Sequence, residues 1–290
     1  MRVRIIFSLI NKGAMVPFHH QYLVDELVLN ILKKEKNNFE ENLDYNFSGL
    51  KGQTRISKKG LHFYSSRITI VFSSYNDAFI QFLLDEIFKM PSVQIGELEL
   101  VPESVEKEEF PLMETATKYL CISPIVLFTS KLEDSFSKRF IAPTEDAFSD
   151  FLYESTMQRM EKSGLYTTEK IASFFKFQFA PDMDYLNKIK ATDKKFARIY
   201  SLYEDNLNYE IRGYTLPFTL FADAEVQEFV LNFGLGAYTN KGYGMLDLVE
   251  AHKTIRVPMY EYGRNIFVKN NRPITNYQLP ITENTIQLLF

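Results

Sequence analysis

The stretch Gly234-Leu235-Gly236-Ala237-Tyr238-Thr239-Asn240-Lys241-Gly242-Tyr243-Gly244 constrains this 290-residue chain more than any other. It holds four of the twelve glycines, as two Gly-apolar-Gly units separated by the five residues Ala237 to Lys241. Before it, Asp223 to Phe233 reads as a short helix, with Val226, Phe229, Val230 and Phe233 on one face. After it, Met245 to Val249 alternates as a half-buried strand does. A glycine-rich turn between helix and strand serves one of two ends. Either its glycines satisfy positive φ in a tight turn, or its N–H groups approach a phosphate without Cβ interference. Lys241 would add a cation, and Tyr238 and Tyr243 would offer ring faces.

The helix-loop-strand order excludes the G-x-G-x-x-G dinucleotide fingerprint, which runs strand-loop-helix, and no Gly-Lys-Ser/Thr follows to make a P-loop. A single cysteine, Cys121, excludes an intramolecular disulfide and a multi-cysteine zinc site. Its apolar surroundings mark it as a buried structural thiol. The N-terminal Met1 to Ile10 is broken by Arg4 and lacks a cleavage site, so it reads as a strand rather than a signal peptide. With no run long enough to span a membrane, a cytoplasmic location is expected. Net charge −4 counts against a nucleic-acid binder unless the cations are clustered.

Clusters are present. Lys51-Gly52-Gln53-Thr54-Arg55-Ile56-Ser57-Lys58-Lys59 carries four cations and no acid, either as a solvated hairpin tip or as an RNA-backbone contact. Lys188, Lys190, Lys194, Lys195 and Arg198 form a second group. Acidic residues gather instead in Glu103 to Glu109, where four glutamates and Lys107 read as a linker.

Element order predicts β-α-β-β-α-β twice. In the first half, residues 2–10 are a strand, and Gln21 to Lys34 a helix with Leu23, Val24, Leu27, Val28, Ile31 and Leu32 inward. Strands at 45–50 and 60–74, a helix at 76–88 stopped by Pro91, and a strand at 93–101 complete it. The second half has a strand at 118–129 and a helix from Glu145 to Lys162 capped by Thr144. Strands at 172–179, 196–203 and 208–221 precede the final helix, glycine segment and strand. The reading is α+β: a ferredoxin-like (RRM-like) domain at 1–112, a second with the glycine-rich loop at 113–250, and a C-terminal β extension at 251–290. The extension is expected to form a hairpin packed on the second domain.

The doubled glycine pattern resembles the glycine-rich loop of the CRISPR-associated RAMP superfamily, specifically its repeat-RNA processing endoribonucleases. Val16-Pro17-Phe18-His19-His20-Gln21-Tyr22, Leu120-Cys121-Ile122-Ser123-Pro124-Ile125-Val126 and Ile141-Ala142-Pro143 resemble further segments of that family. The resemblance covers roughly residues 1–250. It implies a CRISPR repeat RNA as ligand, interference-complex proteins as possible partners, and a monomer or homodimer. The implied reaction is attack of a ribose 2′-OH on the adjacent phosphate, leaving a 2′,3′-cyclic phosphate and needing neither metal nor cofactor.

Such a reaction needs a proton acceptor, a proton donor and positive charge. His62 and His252 read as packed or surface residues. His20 is the expected principal acid/base, His19 the fallback, and Tyr22 a residue that orients ribose or phosphate. Lys33 or Lys51 would stabilise developing charge if the fold brings either near. RNA binding is expected at Gly234, Gly236, Lys241, Gly242 and Gly244, and at Lys51, Arg55, Lys58 and Lys59. Many family members carry a histidine after the first helix, but Asn37 to Leu43 contains none. Some relatives instead place it at the start of the first helix, which His20 would match, and others cleave with lysines and tyrosines. The alternative function is a non-catalytic RNA-binding RAMP subunit of an interference complex.

Overall fold

Alternation of apolar and other residues makes Arg2–Leu9 a strand (β1), with Val3, Ile5, Phe7 and Leu9 turned into the core. The computed structural model describes residues 1–34, 44–127, 141–192, 195–204 and 207–261. After β1 come β2 (Met15–Val16), α1 (Gln21–Lys34), β3 (Tyr45–Phe47), β4 (Thr54–Ile56), β5 (Leu61–Phe63) and β6 (Arg67–Ser74). Then follow α2 (Asp77–Lys89), β7 (Val93–Ile95) and β8 (Leu98–Glu109). The strands lie in the antiparallel order β8-β1-β6-β3, the arrangement of a ferredoxin-like unit. Helix α2 begins where Asn76 accepts from the Phe79 N–H at 3.1 Å, a cap worth about 1 kcal/mol.

The second half contains β9 (Ala116–Cys121), β10 (Ile125–Val126), α3 (Asp146–Ser163), α4 (Thr168–Ala172), β11 (Phe177–Pro181) and α5 (Met183–Ala191). It continues with β12 (Ala197–Glu204), β13 (Leu207–Tyr214), β14 (Phe218–Ala222), α6 (Ala224–Phe233) and β15 (Leu246–Leu248). Its main sheet, β11-β14-β9-β15, repeats the same order. The expected α+β fold of two ferredoxin-like units is therefore the observed one. Each has its own apolar core, the first around Phe7, Phe47, Phe72 and Phe79, the second around Tyr119, Phe148, Phe218 and Phe229. Among the described residues, no helix is long and apolar enough to cross a membrane.

Several segments depart from the sequence reading. The acidic run is not a linker: β8 continues through it, paired with β1 on one side and β16 (Ile255–Glu261) on the other. It is held there because Glu108 is buried between Arg2 and Arg4, a partnership that local sequence cannot reveal. β16 extends the first sheet rather than packing on the second half, and the remainder of the expected hairpin lies outside the described residues. Helices α4 and α5 have no counterpart in the sequence reading, which starts a strand at Ala172, the last residue of α4, and assigns no element to 183–191. Helix α5 is capped by Asp182 at the Tyr185 N–H, 2.8 Å away. At α3 the cap residue is Glu145, not Thr144; its Oε1 accepts from the Ala142 N–H.

The halves are joined by a buried charged seam. Arg2 sends Nε to Glu108 (2.8 Å), Nη1 to the Leu231 carbonyl (2.5 Å) and Nη2 to the Leu246 carbonyl (2.8 Å). One side chain of β1 thus fixes the end of α6 and the start of β15, the two elements that flank the glycine segment.

Candidate nucleic-acid interface

Helix α1 turns one apolar face, Val24, Val28 and Ile31, into the first core. Its opposite stripe, Tyr22, Asp25, Glu26, Leu29 and Lys33, recurs every three or four residues and so stays on one side. That stripe, with His19 at its start, forms one wall of a cleft of about 340 Å³. Lys241 and Tyr243 of the glycine segment and Leu202 of β12 also line it. The structure thus brings His19, Tyr22, Lys33 and Lys241 to one cavity, although the last is more than two hundred residues from the first. The rings of His19 and Tyr22 lie 5.8 Å apart, and Tyr22 is 43% exposed.

His20 does not share that cavity. It is 5% exposed; Nε2 accepts from the Leu50 N–H at 2.9 Å, and Nδ1 lies 3.3 Å from the Pro17 carbonyl. An acceptor at Nε2 and a carbonyl at Nδ1 select the neutral tautomer with its proton on Nδ1. Burial lowers the pKa to about 4. An imidazole with both nitrogens engaged inside the protein fixes the turn before α1 and is badly placed to exchange protons with a ligand. The sequence could not separate the two histidines, since consecutive residues at a helix start point in different directions.

The glycine segment is also turned inward, contrary to the expectation of a phosphate cradle. Gly234, Gly236, Gly242 and Gly244 have φ of 85, 89, 82 and 72°. Added Cβ atoms would meet Asn46 Nδ2 at 2.1 Å, the Val126 carbonyl at 2.4 Å, the Phe47 ring at 2.2 Å and the Leu235 carbonyl at 2.0 Å, respectively. The N–H groups of Leu235, Ala237, Lys241, Gly242 and Gly244 donate to carbonyls of the chain itself at 2.7–3.0 Å. These glycines let the segment dock on β3 and β10. A valine at Gly236 would therefore disturb the fold, not only a ligand site. The α6 end beside it is held by Asn46 and Arg159, both donating to the Phe233 carbonyl. What the segment turns toward the cleft are Lys241 and Tyr243.

Of the basic hairpin, Arg55, Lys58 and Lys59 are exposed around the β4–β5 turn, with Ile56 72% exposed among them and Arg55 4.9 Å above the Tyr64 ring. β5 pairs with β2, so this hairpin is stitched to the segment leading into His19. Lys51 does not belong to the tip. It pairs with Thr69, and its amine lies 3.6 Å from Asp247 in the interdomain seam, its pKa lowered by burial against the opposing pull of Asp247. In the second basic group, Lys188, Lys190, Lys195 and Arg198 lie among the described residues and Lys194 outside them. Arg198 stacks on Phe18 at 5.0 Å, bridging β12 to the residue before His19. Cys121, expected to be buried, is partly buried against the second core; its thiol donates to the Leu216 carbonyl, and desolvation raises its pKa to about 12.

Residues 105–248 match the family model of CRISPR associated protein Cas6, C-terminal. Over those residues, just under half of its length, the chain is similar to Cas6 proteins. A Pyrococcus horikoshii relative, named as the CRISPR-associated endoribonuclease-like protein Cas6nc, is 22% identical, over 86% of this chain and all of the relative. The Cas6 endoribonuclease-like protein of Pyrococcus furiosus is 24% identical, over 86% of this chain and 99% of its own. A solved structure described as a RAMP protein binding different RNA substrates superposes with a TM-score of 0.69 at 20% identity, covering 86% of this chain and 100% of that one. The shared fold with such Cas6 proteins is the tandem ferredoxin-like arrangement described above.

Proposed function

We propose that this chain is an endoribonuclease that binds CRISPR repeat RNA across the two ferredoxin-like units and cleaves it in the α1 cleft. One observation carries the reading: His19, Tyr22, Lys33 and Lys241 line a single cavity. The Cas6 match and the names of the Pyrococcus relatives support the reaction class. For domain limits we take residues 1–112 and 113–250, with 251–290 as a C-terminal extension whose described part adds β16 to the first sheet's edge.

The chemistry follows from what a tethered nucleophile lacks. A ribose 2′-OH already neighbours its phosphate, so the protein supplies in-line geometry, proton transfer and charge. Half-buried His19 accepts the 2′-OH proton as the 2′-oxygen bonds to phosphorus. The bond to the 5′-oxygen breaks, and that oxygen leaves as a hydroxyl with a proton from solvent. The exposed Tyr22 hydroxyl orients the ribose or the phosphate. Lys33 and Lys241 offset the charge that grows on the phosphorane. Arg55, Lys58 and Lys59 hold the RNA backbone at the hairpin, and Arg198 keeps the Phe18-His19 turn against β12. His20 sets the floor of the turn instead of reacting.

Two observations favour a second reading, an RNA-binding RAMP subunit that does not cleave. His20 is sealed inside the protein, and the carboxylate of Asp25 sits within the same cleft as Lys241. Incubating the protein in EDTA with the repeat RNA of its own locus separates the two. Cleavage to a fragment ending in a 2′,3′-cyclic phosphate supports the endoribonuclease; tight binding without cleavage supports the subunit.

A further inference from the structure

Lys241, the one cation of the glycine segment, is already engaged in this structure. Its Nζ lies 2.9 Å from Asp25 Oδ2, joining the second unit to α1 of the first. Tyr45 of β3 donates to the other carboxylate oxygen at 3.4 Å. The Asp25 and Lys241 side chains are 13% and 26% exposed. On the lysine side the backbone is fixed: a 3-10 turn, Thr239–Lys241, lies between left-handed Tyr238 and Gly242, and Gly242 rests on the Phe47 ring. Only the flexible stem of Lys241 can swing.

We propose that Asp25 is a specificity-determining latch, neutralising Lys241 in the RNA-free protein and releasing it only to a phosphate seated in the cleft. The proposal rests on reading the cleft as the RNA site. A cation that is already paired gains little from a passing phosphate, and the carboxylate repels one that comes close without seating. A repeat RNA held by the hairpin and by the cleft walls brings a phosphate to Lys241 at high local concentration and takes over its charge. An arbitrary strand has no such help. The latch therefore suppresses nonspecific binding more than specific binding.

Fluorescence anisotropy on the full chain tests this with two probes, the locus's repeat RNA and a scrambled RNA of equal length, across a salt series. Asp25→Asn keeps the shape and removes the charge. It is expected to tighten scrambled RNA by about fivefold, to narrow the repeat-over-scrambled ratio, and to steepen the salt slope for scrambled RNA by roughly one. Adding Lys241→Gln to Asp25→Asn should abolish these gains. Lys241→Gln alone should weaken repeat RNA and leave scrambled RNA unchanged, a measurement that stands even if Asp25→Asn proves unstable. Equal loss for both probes in Lys241→Gln, or unchanged binding in a folded Asp25→Asn, overturns the latch. A wild type that binds neither probe overturns the RNA reading itself, and the latch with it.

Discussion

Replacing His20 by alanine separates a structural histidine from a reacting one. At pH 7 the variant loses the acceptor of the buried Leu50 N–H, 2.9 Å from Nε2. Stranding that donor costs about 1–3 kcal/mol, before any loss of packing. The cost also depends on pH, in a direction the geometry dictates. The folded pKa is about 4 against an ordinary 6.5, so between those values the unfolded chain binds the extra proton. Stability from neutral His20 is complete above pH 6.5 and is lost as pH falls toward 4. The contribution at stake is about 3 kcal/mol, the difference in proton affinity between an ordinary 6.5 and the folded value of about 4. Alanine cannot titrate. Urea unfolding should therefore find wild type more stable by a few kcal/mol at pH 7, and that gap should shrink by about 2–3 kcal/mol by pH 4.5. Other groups titrate in both proteins and cancel in the difference. A gap that stays constant with pH, or a variant as stable as wild type, would refute the buried neutral imidazole.

Gly242→Ala should destabilise by about 2–4 kcal/mol, measured by thermal or urea unfolding, because its φ of 82° is strained and its Cβ would meet Phe47 at 2.2 Å. Wild-type stability there would mean that the segment is not docked on β3. Arg2→Met should cost about 3–5 kcal/mol by leaving the buried Glu108 short of a partner, and adding Glu108→Gln should restore part of it. Additive losses would deny the coupling. Changing Arg55, Lys58 and Lys59 together to alanine should change stability by less than about 0.5 kcal/mol each. It should also lower the salt slope of repeat-RNA binding by roughly 0.7–0.9 for each phosphate no longer neutralised; an unaltered slope would make the tip a solvated surface.

Both ferredoxin-like units were legible in the sequence because their helices and central strands carry strong periodicity, as in Val24, Val28 and Ile31 of α1. The cleft wall was half legible: Tyr22, Asp25, Glu26, Leu29 and Lys33 follow helical spacing, and Asp25 could have been picked from that stripe. Its partnership with Lys241 could not, because nothing local links residues 216 positions apart. The same holds for Arg2 and Glu108, which turned an apparent linker into the interior of β8. The glycines were found, but their purpose was misread. Positive φ and close approach are equally needed to admit a phosphate or to seat a loop on Phe47, and composition does not distinguish them.

Single-turnover cleavage of the locus's repeat RNA by wild type, His19→Ala and His20→Ala, at a temperature where all three are folded, tests the central claim most directly. Loss of a proton-transfer group costs about 10²–10⁴-fold in rate. His19→Ala is expected to bind RNA as wild type does and to cleave at least about 100-fold more slowly, while folded His20→Ala stays within about fivefold of wild type. Wild-type cleavage by His19→Ala, or loss of cleavage confined to a fully folded His20→Ala, would contradict the account.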